Sequence, residues 1–393
     1  MTFRIIKARV CVSAARGFLL ACVPAMFLVA PAPAAAQEVL VGQVGSQTNI
    51  VTGANGRGIN IGINTYFAFV NAQGGVGGRQ LKLLFKEDDG NGAKMVEAAK
   101  ELAANKDVVA FAGFVNTSGL TEMTKKNMFS ELGVPLVAPL QGDKSIVGAE
   151  NIFPFRSGYP DETAALVKEA ASTQKKRVVI AYFSATFGPS MEKLAQEEAK
   201  KAGLPIVASI KIDAAPEKFK ENMAAASAAV IKADPDAVIM LMSSRFAAEM
   251  VRAVKNSPAA SAQMYAMSVV WADEIVKAAG PDKARGTVII QAIPFPYSVT
   301  LPVVGEYQRV MKQYAPNEAI NFPTFEGFIA GKITTEAIKR AGPNPTREKV
   351  QKALLAMGEY NLGGIYVNYG PSGRRGWGGT DPSVIGPAGK LMH

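Results

Sequence analysis

The sequence predicts an α/β protein built as two parallel-sheet lobes, and three observations point there. Short apolar runs alternate with amphipathic helices through the chain from Gln37 onward, the rhythm of βαβ units. Two of the runs, Arg177–Tyr182 (RVVIAY) and Ala237–Met242 (AVIMLM), are almost wholly apolar, as strands are when helices cover both faces of a sheet. The rhythm restarts near Tyr159 and a shared C-terminal portion follows. That order implies two lobes, with more than one crossing of the chain between them.

Each element has a local reason. Val39–Gln43 is an apolar strand candidate. In Asn55–Asn71 the residues Ile59, Gly62, Ile63, Tyr66, Phe67 and Val70 recur at helical spacing. A Gly-rich turn, Gly74–Gly78, leads to alternating Leu81, Leu83 and Phe85, a strand that stops at Glu87-Asp88-Asp89-Gly90. Helix Ala93–Asn105, strand Val108–Phe111, helix Gly119–Leu132 and strand Pro135–Ala138 complete the first series. The second contains helix Asp161–Thr173, strand Arg177–Tyr182, helix Pro189–Ala202 and strand Pro205–Ile212. It continues with helix Glu217–Ala233, strand Ala237–Met242, helix Phe246–Ser257 and strands Gln263–Ser268 and Thr287–Ala292. Helices Gly305–Tyr314, Phe325–Arg340 and Arg347–Met357 and strand Gly364–Asn368 follow, and Gly370–Thr380 reads as an exposed turn-rich loop.

The first residues read as an export signal. Arg4, Lys7, Arg9 and Arg16 give a basic start, Phe18–Ala30 is apolar, and Ala34-Ala35-Ala36 offers a small-residue cleavage site near Ala36. Removing 1–36 takes both cysteines, Cys11 and Cys22, so no disulfide is expected in an exported chain. The net charge falls from +10 to +6, because four basic and no acidic residues leave. That charge is dispersed, which speaks for solubility rather than a nucleic-acid surface. His393 is the only histidine, so no Ser-His or Cys-His pair and no histidine-ligated metal is expected.

The chain resembles the type I periplasmic solute receptors of the leucine/isoleucine/valine kind. The residues that carry the resemblance are Val70-Asn71 with Gly74–Arg79, Asp88-Asp89, Val108–Gly113 with Asn116–Ser118, and Gly133-Val134-Pro135. Phe155-Arg156, Phe187-Gly188, Pro235–Val238, Phe325-Glu326-Gly327 and Leu362-Gly363-Gly364 continue it. Their order spans essentially the whole chain after the signal. The resemblance implies two Rossmann-like lobes joined by three strands, with a ligand cleft between them that closes by a hinge. The lobes are expected at 37–157 with 291–343, and at 158–290 with 344–393.

Ligands of open α/β sheets bind beyond the carboxyl ends of the strands, and the candidate contacts are placed there. Asn116, Thr117 and Ser118 follow Val108–Phe111, where hydroxyls and free backbone N–H groups suit a carboxylate; helix capping is the plainer reading. The resemblance puts a ligand-carboxylate Ser or Thr at this place, and further contacts at Gln141 and Gly142 and at the ring of Phe187. In the second lobe Ser243 and Arg245 follow AVIMLM, and an arginine there could grip a carboxylate bidentately. Val270 and Trp271 follow the next strand. Amino-acid receptors of this kind carry an acid at the position of Val269 or Val270, and some carry an aromatic wall where this chain has Asn55. A buried ammonium without a counter-charge is costly, so a carboxylate lacking an obligatory amino group, apolar or aromatic, is the expected ligand.

The leading expectation is therefore the periplasmic receptor of an ABC importer, a monomer that delivers solute to an inner-membrane permease and its ATPase, with no cofactor. A sensor reporting to a membrane kinase or chemoreceptor is the alternative. A periplasmic hydrolase is the remote one, since Asp88-Asp89 is the obvious acidic pair and capping explains it as well. The Gly74–Gly78 turn follows a helix and precedes a strand, the reverse of a dinucleotide fingerprint, so no nucleotide is expected.

Overall fold

A computed structural model describes residues 38–185, 187–298, 300–370 and 373–393; the expected export signal and its cleavage site lie outside them. The first sheet holds β1 (Glu38–Gly45), β2 (Gln80–Glu87), β3 (Val108–Ala112), β4 (Leu136–Val137) and β5 (Ile152–Phe153), all parallel, in the order β2-β1-β3-β4-β5. The second repeats that order with β6 (Val178–Phe183), β7 (Ile206–Ile212), β8 (Ala237–Leu241), β9 (Gln263–Ala266) and β10 (Val288–Gln291): β7-β6-β8-β9-β10. A small antiparallel sheet follows, of β11 (Gly358–Asn361), β12 (Tyr366–Gly370) and β13 (Gly373–Arg375). Then β14 (Asp381–Ile385) joins β10 antiparallel, and β15 (Leu391–Met392) joins β14. The two lobes expected from the sequence are thus two doubly wound sheets of one topology. β6 and β8 are buried along their whole length, as their composition requires.

The Gly-rich turn after the Gly53–Ala72 helix has the geometry that its glycines permit. Gly74, Gly75, Gly77 and Gly78 all have positive φ, and a Cβ on Gly75 would lie 1.9 Å from the Arg79 carbonyl. Asn71 locks the turn: its amide donates to the Leu81 carbonyl and its oxygen accepts from the Leu81 N–H, both at 2.8 Å. The helix expected over Gly119–Leu132 is instead two, Thr117–Lys125 and Met128–Leu132. They break at Asn127, whose φ of 50° lies in the left-handed region.

One expected boundary is corrected. Residues 344–370 and 373–375, assigned from the sequence to the second lobe, pack on the first. Arg347 opens the Arg347–Leu355 helix and donates to the carbonyls of Val108 (2.8 Å), Ala103 (2.7 Å), Asn105 (2.7 Å) and Leu132 (3.3 Å). Tyr369 of β12 donates to the Pro154 carbonyl at 2.6 Å and packs on Phe153. The Gly370–Thr380 stretch is not simply an exposed loop either: it contains β13 and the return to the second lobe. Its contacts are long-range, so local composition did not reveal them.

The chain crosses between lobes three times, at 154–158, 292–298 and 376–380. The crossings are bonded to each other rather than built as regular strands. Ser157 donates from its N–H to the Ala292 carbonyl (3.1 Å) and from its hydroxyl to the Gly379 carbonyl, and Trp377 N–H donates to Phe155 (2.7 Å). Beside them lies a buried charge cluster. Arg156 sits 3.5 Å from Glu162 of the second lobe and 3.5 Å from Glu326 of the first, and also donates to the Ser268 hydroxyl. Glu162 accepts from the Ser268 N–H at 2.9 Å. Burial holds both carboxyls above their ordinary range, with the Arg156 charge opposing it.

Two predictions follow from this framework. Asn71→Ala removes both bonds to Leu81 and should lower unfolding free energy by about 2 kcal/mol, read by urea denaturation. A carboxyl whose folded pKa is raised adds stability that is full below its unfolded value and lost as pH rises through the folded one. Thermal stability should therefore contain a component that is full at acid pH and declines as pH rises above the ordinary carboxylate range. Glu326→Gln, the neutral shape-mimic, should weaken that decline; an unchanged slope would contradict the titration.

Candidate functional site

The sequence of strand orders decides where the site lies. In each sheet the order reverses between the first and third strands, β1/β3 and β6/β8, and loops at the carboxyl edge of such a point enclose a crevice. The two crevices face one another across a cavity of about 220 Å³. Four helices begin at its wall. Thr52 precedes the Gly53–Ala72 helix, Asn116 the Thr117–Lys125 helix, Phe187 the Gly188–Ala202 helix and Ser243 the Ser244–Lys255 helix, and all four residues line the cavity. Each helix start brings the positive end of a dipole to the wall, although some of the first N–H groups are already bonded, as Gly53 is to Asn49, Gly119 to Asn116 and Gly188 to Ala185.

The walls differ in character. The first lobe offers Asn49, Thr52, Asn55, Thr117 and Ser118. The second offers Tyr159, Phe183 and Phe187, with Tyr159 and Phe187 centred 4.9 Å apart and Phe183 and Phe187 6.1 Å apart. Val115, Leu140, Ala214 and Val269 fill between. Among the described residues that line it, none carries a charge. Two hydroxyls on the wall, Thr52 Oγ1 and Ser243 Oγ, are buried with no partner among the described residues. Buried hydroxyls ordinarily find one, and a small rotation of either side chain would turn it toward a bound molecule.

Behind the first-lobe wall is a supporting network. Asn116 Oδ1 accepts from Gly119 N–H (3.2 Å) and the Ser118 hydroxyl (2.8 Å), while its amide donates to Asp88 (3.0 Å). Asp88 is fully buried and also accepts from Gly90 N–H at 2.7 Å. Burial pushes its carboxyl up, against the pull of these two hydrogen bonds. Gln141 is fully buried too; its oxygen accepts from Gly142 and Asp143 N–H (2.9 Å each), and its amide donates to Thr117 Oγ1 at 3.1 Å. That bond leaves the Thr117 hydroxyl hydrogen free to point at a ligand.

A family model described as periplasmic binding protein matches residues 38–387. The chain belongs to the periplasmic binding protein family. Comparison with curated proteins finds no match. A substrate-binding periplasmic protein from Ralstonia solanacearum is similar at 26% identity and TM-score 0.84, over 90% of this chain and 99% of that one. A branched-chain amino acid ABC transporter structure from Thermus thermophilus, with bound valine, is similar in fold at 19% identity and TM-score 0.79, over 91% and 95%. A fatty acid ABC transporter substrate-binding protein from Thermomonospora curvata gives 18% and 0.78, over 91% of each chain. The fold is thus the type I fold of the leucine/isoleucine/valine receptors.

In this periplasmic binding protein the expected site residues are divided. Asn116, Thr117, Ser118, Phe187 and Ser243 line the interlobe cavity, though the polar atoms of Asn116 are spent on capping and on Asp88. Gln141 and Gly142 stand behind it. A Cβ on Gly142 would lie 2.5 Å from Tyr159 N, so this glycine seats the aromatic wall. Arg245 does not line the cavity. Its helix turns Phe246 inward against Phe183 (5.0 Å) and Phe219 (4.8 Å), which leaves Arg245 exposed over the Phe219 ring. Val270 and Trp271 line a separate cavity, and Trp271 forms the partition: its indole N–H donates to Asn55 of the other lobe at 3.0 Å. Tyr159, Phe183 and Thr52 were not singled out from the sequence. Phe183 had a readable signal, an aromatic at the last position of a switch-point strand; Thr52 was hidden by placing the helix start two residues late.

The Trp271–Asn55 bond joins the lobes only when they meet. Trp271→Phe keeps the ring packing and removes the donor, so the ligand-bound state should weaken by about 1 kcal/mol, or roughly five-fold in Kd. Isothermal titration with any ligand found by screening checks this, and an unchanged Kd would deny the bond a role in closure.

Proposed function

We propose that this periplasmic binding protein serves an ABC importer as its solute receptor, taking a small carboxylate with an apolar or aromatic body and no obligatory amino group. One observation carries the reading: four helix N-termini converge on a cavity whose described lining has no charged side chain. Each terminus favours an anion by about 0.3–1 kcal/mol, more where partly buried. The Thr117 and Ser243 hydroxyls would accompany the backbone donors on the carboxylate. An α-ammonium would meet the same dipoles with no acid to accept it, at a cost of several kcal/mol. The rings of Tyr159, Phe183 and Phe187 suit an apolar body. The cavity is smaller than the ~300–1,000 Å³ typical of sites for drug-sized ligands, which favours a compact solute. The neighbours' names are compatible with the range, since one is printed with bound valine and another as a fatty acid receptor. In this reading the protein works in the periplasm and hands its solute to an inner-membrane permease with its ATPase.

A thermal-shift panel tests the ligand class. Phenylacetate and 4-methylpentanoate should raise the melting temperature, whereas phenylalanine and leucine should not. Thr117→Ala and Ser243→Ala should each weaken the responding acid by about 1 kcal/mol, near five-fold in Kd. Tight leucine binding without any response to the acids would overturn the assignment.

A further inference from the structure

Beyond the Trp271 partition lies the second cavity, of about 470 Å³, walled by the second lobe, the second crossing and the start of the Phe322–Arg340 helix. Three of its rings form a cluster: Phe295 and Tyr297 lie 5.2 Å apart, Phe295 and Phe322 6.0 Å, and Tyr297 and Phe322 6.2 Å. Trp271 adds a fourth. Tyr297 is 44% exposed, unusual for a large apolar side chain in such a cluster. Asp273 and Lys390 at the wall carry opposite charges, so the lining favours no net charge.

Gln291 adds a polar demand. It lines the cavity and is 2% exposed. Its amide donates to the Ser383 hydroxyl at 2.8 Å, and that hydroxyl donates its one hydrogen to the Ile289 carbonyl at 3.1 Å. Ser383 can therefore only accept from Gln291, which fixes the amide orientation. The Gln291 oxygen is left buried, with no partner among the described residues. An unmatched buried acceptor is costly and is found where something supplies the missing donor.

We propose that this cavity is a second binding site, for a small neutral aromatic molecule carrying one hydrogen-bond donor, of the phenol class. The ring lies among Phe295, Tyr297, Phe322 and Trp271, where aromatic pairs gain energy beyond area burial. The hydroxyl donates to the Gln291 oxygen after a small turn of that side chain, because the oxygen has under 1 Å² of accessible surface while the cavity is empty. The site lies on the other side of the Trp271 partition from the first cavity, and its ligand class is read from its own lining.

Trp271 is one of two tryptophans, Trp377 being the other, so a Trp377→Phe background makes fluorescence report on the site. Titration with p-cresol should give a saturable change, and toluene, the same shape without the hydroxyl, should bind at least roughly ten-fold more weakly. Tyr297→Ala, at a partly exposed position, should weaken p-cresol several-fold in a folded protein. Gln291→Leu should abolish the preference over toluene. Thr117→Ala in the interlobe cavity should leave p-cresol binding unchanged. Absence of a saturable change, equal affinity for p-cresol and toluene, or loss of binding in Thr117→Ala but not Tyr297→Ala would overturn the proposal. None of these results bears on the carboxylate panel, so the two assignments fail separately.

Discussion

Parallel strands must all end at the same edge of their sheet, and every helix that follows one begins there. This single constraint governs the molecule. It stacks the starts of the Gly53–Ala72 and Thr117–Lys125 helices on one lobe and of the Gly188–Ala202 and Ser244–Lys255 helices on the other. Because both sheets share the order 2-1-3-4-5, the two edges carry the same kind of crevice. Facing them across one gap brings the positive ends of four helix dipoles to one chamber. No ionised side chain is needed, and among the described lining residues none is present. Side chains then divide the labour: most hydroxyls, Thr52, Thr117 and Ser118, come from the first lobe, while the rings and the Ser243 hydroxyl come from the second.

The contact between lobes is held by a second kind of interaction. Arg156 stands between a carboxylate from each lobe, all three groups buried. Such a cluster gives little net stability, because desolvation cancels much of the attraction. What it does supply is orientation, since separating either carboxylate from the guanidinium would leave a buried charge unpaired. The three crossings beside it are tied to one another through Ser157, Ala292, Phe155 and Trp377. The Trp271–Asn55 bond adds a further tie between the lobes.

The alternating pattern of apolar runs made most strands and helices legible, with ends displaced by one to three residues. β14 was missed: it is short, begins Asp-Pro, and gains its place only by pairing with β10. The site was legible in part. Thr117, Ser118, Phe187 and Ser243 lie where strand-end reasoning put them. Asn116 does too, yet capping consumes it. Arg245 misled because an arginine after a strand is readable as a charge, while the helix phase that exposes it is set by Phe246 packing into the core.

The sequence by itself determined the layer architecture, the restart at the second lobe, the Asn71–Gly78 turn and the lack of an acid at Val269-Val270. These are local facts of pattern and residue type, and burial periodicity reads them directly. Only the tertiary structure decided that Arg347 and Tyr369 bind residues 344–370 to the first lobe. It also decided that Gln141 supports Thr117 rather than facing the cleft, and that Trp271 divides two cavities instead of lining one. Each of those outcomes rests on partners far apart in the chain, where side-chain direction and hydrogen-bond saturation, rather than residue type, select the role.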